Sequence, residues 1–379
     1  MKDFYSFDEF SIPLSVKVLF GGIYMVVYLY AAWKTLRSIY TNSQDVAVSN
    51  FFVLFFAIYA VFYCINPDYF RYREWLKIPM FLDWSKEQLI KEWNKEIFYV
   101  HLIIFCKSLH LKYTFELFRL IVWGGGVLLV SITSKLYRDL LMPGLVVMFL
   151  FVFFCNTFSY ARASLAMAIF FSGISIYLCV ENTLAKMLGI GMAICSYFFH
   201  HELVIGVGIL PCILLPFEKK KSIFYSIILF AIIIAGITYV NSNIALMESI
   251  FGNDDVAEKI ERYNDALQRA FRMSTLISYL NIFFPFSLIS LFLYQHEDPP
   301  KTIVGLYRIT YGLLMVATAF MIVSGLRSVY TYRVLYISII PMSIMIAYFY
   351  NQGFFKRYQF AIMLLLALLT NSIRLINAF

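Results

Sequence analysis

Charge is what this sequence has least of. Asp, Glu, Lys and Arg together make up 14% of its 379 residues, against 61% hydrophobic. That scarcity excludes a string of soluble domains, which the length alone would allow. Period-two alternation is missing as well. Stretches such as 222–240 and 359–370 are apolar on all sides, which argues against a membrane β-barrel and for helices. No CxxC pair occurs: Cys64, Cys106, Cys155, Cys179, Cys195 and Cys212 lie within or at the edge of apolar segments. They read as small buried side chains, not as a zinc site or a disulfide framework. The net charge of +8 is scattered through short loops with no dense basic stripe, so nucleic acid is not an expected partner. The first segment lacks a small-residue cleavage site and is expected to be a retained helix. There is no internal repeat; Gly124-Gly125-Gly126 has no counterpart in the second half, as a two-fold transporter would require.

What is present is a series of apolar runs near the length that spans hydrocarbon. The expected fold is an all-α polytopic integral membrane protein, one transmembrane domain over 1–379. About twelve transmembrane helices are expected, near 14–33, 47–65, 115–134, 140–158, 163–180, 184–200, 202–217, 222–240, 274–294, 302–324, 334–350 and 359–376. The stretch 97–112 holds His101, Lys107, His110 and Lys112 and reads as interfacial or re-entrant. Lys34, Arg37, Lys135, Arg138, Lys186, Lys219 to Lys221, Lys301, Lys356 and Arg357 fall on one side, taken as cytoplasmic. The outer loops are then 67–96 and 241–273, and both are expected to carry amphipathic helices. In the first, Ser85 and Gln88 spell a capping box, with Trp84 and Leu89 as its staple. Leu89, Ile90, Trp93 and Ile97 follow on one face. In the second, Asn253 can cap a helix whose apolar face runs from Val256 to Phe271, with Glu258 and Arg262 as an i,i+4 pair.

The few ionisable residues at the ends of apolar runs are therefore informative, and on this topology they gather on the outer side. Membrane-depth charges are costly and commonly functional. Arg162 starts an apolar run between small neighbours, Ala161, Ala163 and Ser164, which leaves its guanidinium open to a ligand. Arg327 and Arg333 flank an outer turn that also holds Tyr330 and Tyr332. Planar guanidiniums match phosphate oxygens in pairs, so all three arginines are candidate diphosphate contacts; the plain alternative is snorkelling to headgroups. The turn Phe199-His200-His201-Glu202-Leu203 brings a base or an imidazole phosphate contact. Adjacent histidines with no completing cluster are poor metal geometry, so no metal is expected. Asp68-Tyr69-Phe70-Arg71-Tyr72 sets an acid beside rings, as in carbohydrate sites. Candidate sugar contacts are Tyr69, Tyr72, Tyr330, Tyr332 and His201. Departure of a lipid diphosphate needs cations more than a general acid, and the attacking hydroxyl needs one base. That base lies at the His200–Glu202 turn or at Asp68. The residues by themselves lead to a membrane enzyme acting on an anionic amphiphile from the outer face.

Four motifs extend this reading. Asp68 to Tyr72 spells D-x-x-x-Y; Glu96-Ile97-Phe98 is near E-P-hydrophobic-F; Arg162-x-x-Leu165-Ala166 is near R-Q-x-L-A; and Phe199-His200 with Leu203-Val204 is near F-H-x-S-A-L. In order and spacing they resemble Wzy-type polysaccharide polymerases of the EpsG-like group, and the Tyr332-Arg333 turn fits the same pattern. Ile97, Ala163 and Glu202 depart from it.

The resemblance implies a metal-independent glycosyltransferase without a cofactor in the bacterial cell inner membrane. It would move a growing glycan from undecaprenyl diphosphate onto the non-reducing end of a new lipid-linked repeat unit, on the periplasmic face. Gram-negative O-antigen is the product the resemblance favours. Undecaprenyl-diphosphate-linked oligosaccharide and membrane lipid are the implied partners, with a chain-length regulator protein as a further candidate. It also places the family histidine at His200, which makes His200 the favoured base; Glu202 would orient or assist it, and Asp68 is the alternative base. The alternatives are a lipid-linked oligosaccharide flippase and an O-antigen ligase or lipid-phosphate-sugar glycosyltransferase.

Overall fold

The computed structural model describes residues 97–109, 120–137, 161–201, 203–219, 222–242, 273–295, 299–324 and 329–378, with isolated positions up to 33 and at 85, 87, 88, 117, 118 and 140. Among the described residues the chain is helical and holds no strand. It divides into two compact units, one of Met1–His201 with Lys356–Phe379 and one of Glu202–Phe355.

The first unit contains α1 (Ile97–Ser108), α2 (Gly125–Ser134), α3 (Ala161–Cys179), α4 (Thr183–Cys195) and α10 (Arg357–Ala378). The described part of α1 is twelve residues, about 18 Å long. A π-turn over Leu120–Gly124 leads straight into α2. Asn182 opens α4 by accepting a bond from the Ala185 amide at 3.2 Å, so α3 and α4 form a tight antiparallel hairpin. Its two backbones touch. A Cβ on Gly173 would collide with the Gly189 carbonyl, and one on Gly189 would lie 2.6 Å from the Gly173 carbonyl. Where lipid removes the hydrophobic drive between helices, such close approach is what holds them. Hydroxyls hold α2 to α3: Thr133 and Ser172 are 2.7 Å apart, and the Tyr137 hydroxyl donates to Ser175 at 3.0 Å. Gly126 lies against Ser164, so the register rises along both chains and α2 runs parallel to α3. The predicted spans 115–134 and 163–180 are two crossings apart and should run in one direction; they do.

The second unit contains α5 (Leu203–Gly208), α6 (Ile223–Ser242), α7 (Met273–Gln295), α8 (Lys301–Ser324) and α9 (Val329–Asn351). In α9 four successive residues, Ile344 to Ala347, are fully buried, which a helix achieves only when it is covered on every side. Helix α8 packs along it. The opposite pattern marks α6, where Phe224 is 66% exposed and Ile227 and Ile232 are each 62% exposed. Twenty residues, about 30 Å long, with an apolar outside suit lipid and not water. Inside, hydroxyls bond within the protein: Thr310 donates to the Leu306 carbonyl and Ser343 to the Ile339 carbonyl, both fully buried. Helix α9 ends in a Schellman turn. Gly353 takes φ 72, Phe354 N–H reaches the Phe349 carbonyl at 3.0 Å, and the rings of Phe349 and Phe354 meet at 5.7 Å.

Two stretches, Lys301–Val323 and Val334–Asn351, have the length and composition of a membrane crossing. Segment 202–217, predicted as one span, is instead broken into α5 and a 3-10 turn over Leu210–Leu214. Pro211 has no N–H to continue the helix, and Gly206 and Gly208 weaken the stretch before it. The twelve residues from Leu203 to Leu214 reach about 20 Å, short of the hydrocarbon thickness.

That broken segment is clamped by Arg308. Its Nε and Nη2 donate to the two Glu218 oxygens at 2.9 and 2.6 Å, and its Nη1 donates to the Ile213 carbonyl at 2.8 Å. Burial pushes the Glu218 carboxyl up, but the Arg308 hydrogen bonds and charge, a backbone amide and Lys219 outweigh it and hold the carboxyl below its usual value. Stability from the pair is therefore full above about pH 4.3 and fades as pH falls through the lower folded value. Arg308→Ala should cost about 3 kcal/mol by stranding the carboxylate. Melting of the purified protein checks this: the loss should be large at pH 7 and shrink as pH falls through the lowered folded value of Glu218. A loss that does not change with pH would assign Arg308 a packing role alone.

Candidate functional site

Three of the four motif regions meet at one end of the first unit. Arg162 is the second residue of α3, eleven positions before Gly173; His200 stands eleven after Gly189. Both are about 16 Å along the axis from the glycine contact. In an antiparallel hairpin equal distances in opposite chain directions lead to the same end, so the start of α3 and the histidine turn are neighbours. The parallel register of α2 brings the π-turn alongside, and α3 packs on it. Helix α1 supplies the third motif: the Phe98 ring lies 5.5 Å from that of Phe198 and 5.2 Å from that of Phe199.

The histidine turn is fixed from beneath. A 3-10 turn over Ser196–Phe198 ends α4. Buried Ser196 donates its hydroxyl to the Ala193 carbonyl at 2.6 Å. Its own carbonyl accepts the amides of Phe199 and His200, each at 3.1 Å. The backbone of this turn has little freedom, while His200 and His201 stay half-buried. The His201 ring stacks on Tyr197 at 4.7 Å and 23°. Imidazoles can take a proton near neutral pH, and two of them sit on this fixed turn beside the helix start that carries Arg162.

The second unit places Tyr330, Tyr332 and Arg333 on the opening turns of α9. The side chains of these three and of Arg162 are outside the described residues, as are Asp68, Tyr69, Tyr72, Glu202 and Arg327 entirely. Of the outer loops only the capping box is described. Ser85 N–H donates to Gln88 Oε1 at 2.8 Å, and Gln88 N–H to Ser85 Oγ at 3.2 Å, the reciprocal pair the sequence predicts. Its staple Trp84–Leu89 and the Asn253 helix lie outside the described residues.

A model described as the EpsG family matches residues 46–378. The chain belongs to the EpsG family. The match takes in all four motifs, the whole second unit and most of the first. No curated protein and no solved structure matches this EpsG-family chain. The apolar exterior of α6 and the crossing-length stretches in α8 and α9 put the protein in a membrane. Sequence reading missed two features. Arg308, an ionisable residue inside an apolar run, is a signal that membrane depth alone would have raised. The contact of Gly173 with Gly189 has no comparable signal, because many spacings of small residues occur along both helices.

Proposed function

We propose that this EpsG-family protein is an inner-membrane polysaccharide polymerase acting on undecaprenyl-diphosphate-linked repeat units at the periplasmic face. Membership of the family points to a polymerase-like function. The observation that carries the finer reading is the meeting of the Arg162 helix start, the His200 turn and Phe98 at one end of the first unit. In the reaction, His200 takes the proton of an acceptor sugar hydroxyl at the non-reducing end of a new unit. The hydroxyl oxygen bonds to the anomeric carbon of the growing chain. The bond from that carbon to the diphosphate oxygen breaks, and undecaprenyl diphosphate leaves with the electron pair. Arg162, Arg327 and Arg333 hold the diphosphate charge, so departure needs no proton. Glu202 orients or assists His200, and Asp68 is the alternative base. Tyr69, Tyr72, Tyr330, Tyr332 and His201 contact sugars. O-antigen is the product favoured.

The lipopolysaccharide ladder of a deletion strain tests the reading. Polymerase loss should leave the core carrying a single repeat unit. A core with no units would instead mark a flippase or a ligase, and a normal ladder would sink the proposal.

A further inference from the structure

Five rings form an unbroken series at the candidate site. Phe199 meets Phe98 at 5.2 Å, Phe98 meets Phe198 at 5.5 Å, Phe198 meets Tyr197 at 5.4 Å, and Tyr197 meets His201 at 4.7 Å. Four of the five come from one short turn. The 3-10 turn ends at Phe198, and the chain bends on through Phe199 to His201, so that Tyr197 stacks on His201 while Phe198 and Phe199 both reach Phe98. The turn is pinned beneath by Ser196, so the rings are held in place without being sealed in. Phe98 stays 39% exposed, and Tyr197, Phe198, Phe199 and His201 are all partly open.

An interfacial belt does not account for this group. Belts use tryptophan and tyrosine, whose polar tips reach headgroups. Three of these rings are phenylalanines without a polar tip, and they flank a turn bearing two histidines. Ring faces carry partial negative charge, and the C–H face of a pyranose is apolar and partially positive. A half-open series of rings beside a proton-accepting turn suits a sugar ring and orients its hydroxyls toward the imidazole.

We propose that Phe98, Tyr197 and Phe198 form the platform on which the terminal sugar of the acceptor unit stacks, with its attacking hydroxyl turned to His200. This rests on the polymerase reading. The platform binds the glycan, and the arginines bind the diphosphate. Loss of a ring therefore weakens acceptor binding and leaves the chemical step intact.

The test uses the purified full chain and lipid-linked repeat units extracted from a strain deleted for the gene. Tyr197→Leu and Phe198→Leu keep apolar bulk and remove the ring. Each should raise the KM for these units about tenfold, with kcat within about twofold of wild type. Tyr197→Phe and Phe98→Tyr, which keep a ring, should hold the wild-type KM. An unchanged KM in both leucine variants, or an equal rise in the ring-preserving ones, overturns the platform while wild-type polymerisation upholds the function. If wild type makes no polymer from these units, the polymerase reading itself fails. Radical footprinting of the wild-type protein covers variants that do not fold. Adding the lipid-linked units should protect Phe98, Tyr197 and Phe198 at least threefold, and no protection overturns the proposal.

Discussion

Gly173→Ala is expected to cost the protein about 3 kcal/mol, the upper end of what overpacking usually does. The added methyl would collide with the Gly189 carbonyl oxygen and lie 2.6 Å from the Ala193 amide nitrogen. Both are backbone atoms, so no rotamer change relieves them and α3 must move off α4. Gly189→Ala meets the same contact from the other side, with the Gly173 carbonyl at 2.6 Å and the Tyr177 amide at 3.0 Å. The two losses should not add, because either one already separates the helices. Gly191→Ala is the control two residues away. Its methyl meets nothing within 4 Å, so helix propensity should make it neutral or stabilising by up to about 1 kcal/mol. Melting of the three purified variants in detergent decides the matter. Equal melting temperatures for Gly173→Ala and Gly191→Ala would show that the backbone contact does not hold this hairpin. Activity should fall with Gly173→Ala, since the helix start with Arg162 and the turn with His200 are the two ends of the one hairpin.

The second large effect is on catalysis. Arg162→Ala, Arg327→Ala and Arg333→Ala should each abolish chain extension, a loss of at least about a hundredfold if each guanidinium stabilises charge in the transition state. Lysine keeps the charge and loses the two-pronged geometry, so Arg→Lys should leave partial activity in at least one position. Normal ladders from all three alanine variants at normal protein level would remove the diphosphate assignment. His200→Ala should lose far more rate than His201→Ala. An imidazole base loses rate as pH falls through about 6.5, whereas an ordinary carboxylate keeps it to about pH 4. A rate maintained to pH 5, or full activity in His200→Ala with none in Asp68→Asn, would move the base into the first outer loop.

Much of the helical layout is legible in the order of the residues. Apolar runs of the right length, bounded by Lys and Arg, are read one residue at a time and need no knowledge of what packs where. The Ser85–Gln88 capping box is legible for a similar reason, since both partners lie within one turn and their chemistry is local. Segment 202–217 is misread as a single span because composition averages over a stretch. Hydropathy counts Gly206, Gly208 and Pro211 among apolar neighbours, while the backbone responds to each of them singly.

A helical membrane protein with scarce ionisable residues is already legible in the order of the residues, because burial in lipid constrains composition everywhere along the chain. The sequence also carried the family motifs, including Arg162 and the His200 turn. Tertiary structure alone decided how these motifs meet. The glycine contact sets the register of α3 against α4, and hydroxyl pairs set α2 against α3. Only then do Phe98, the start of α3 and the Phe199-His200 turn come to one end. It likewise decided that Arg308 pairs with Glu218 and the Ile213 carbonyl. These are contacts between residues far apart in the chain. Their partners are fixed by which backbones can approach and which buried groups must be paired, and neither condition is written in local spacing.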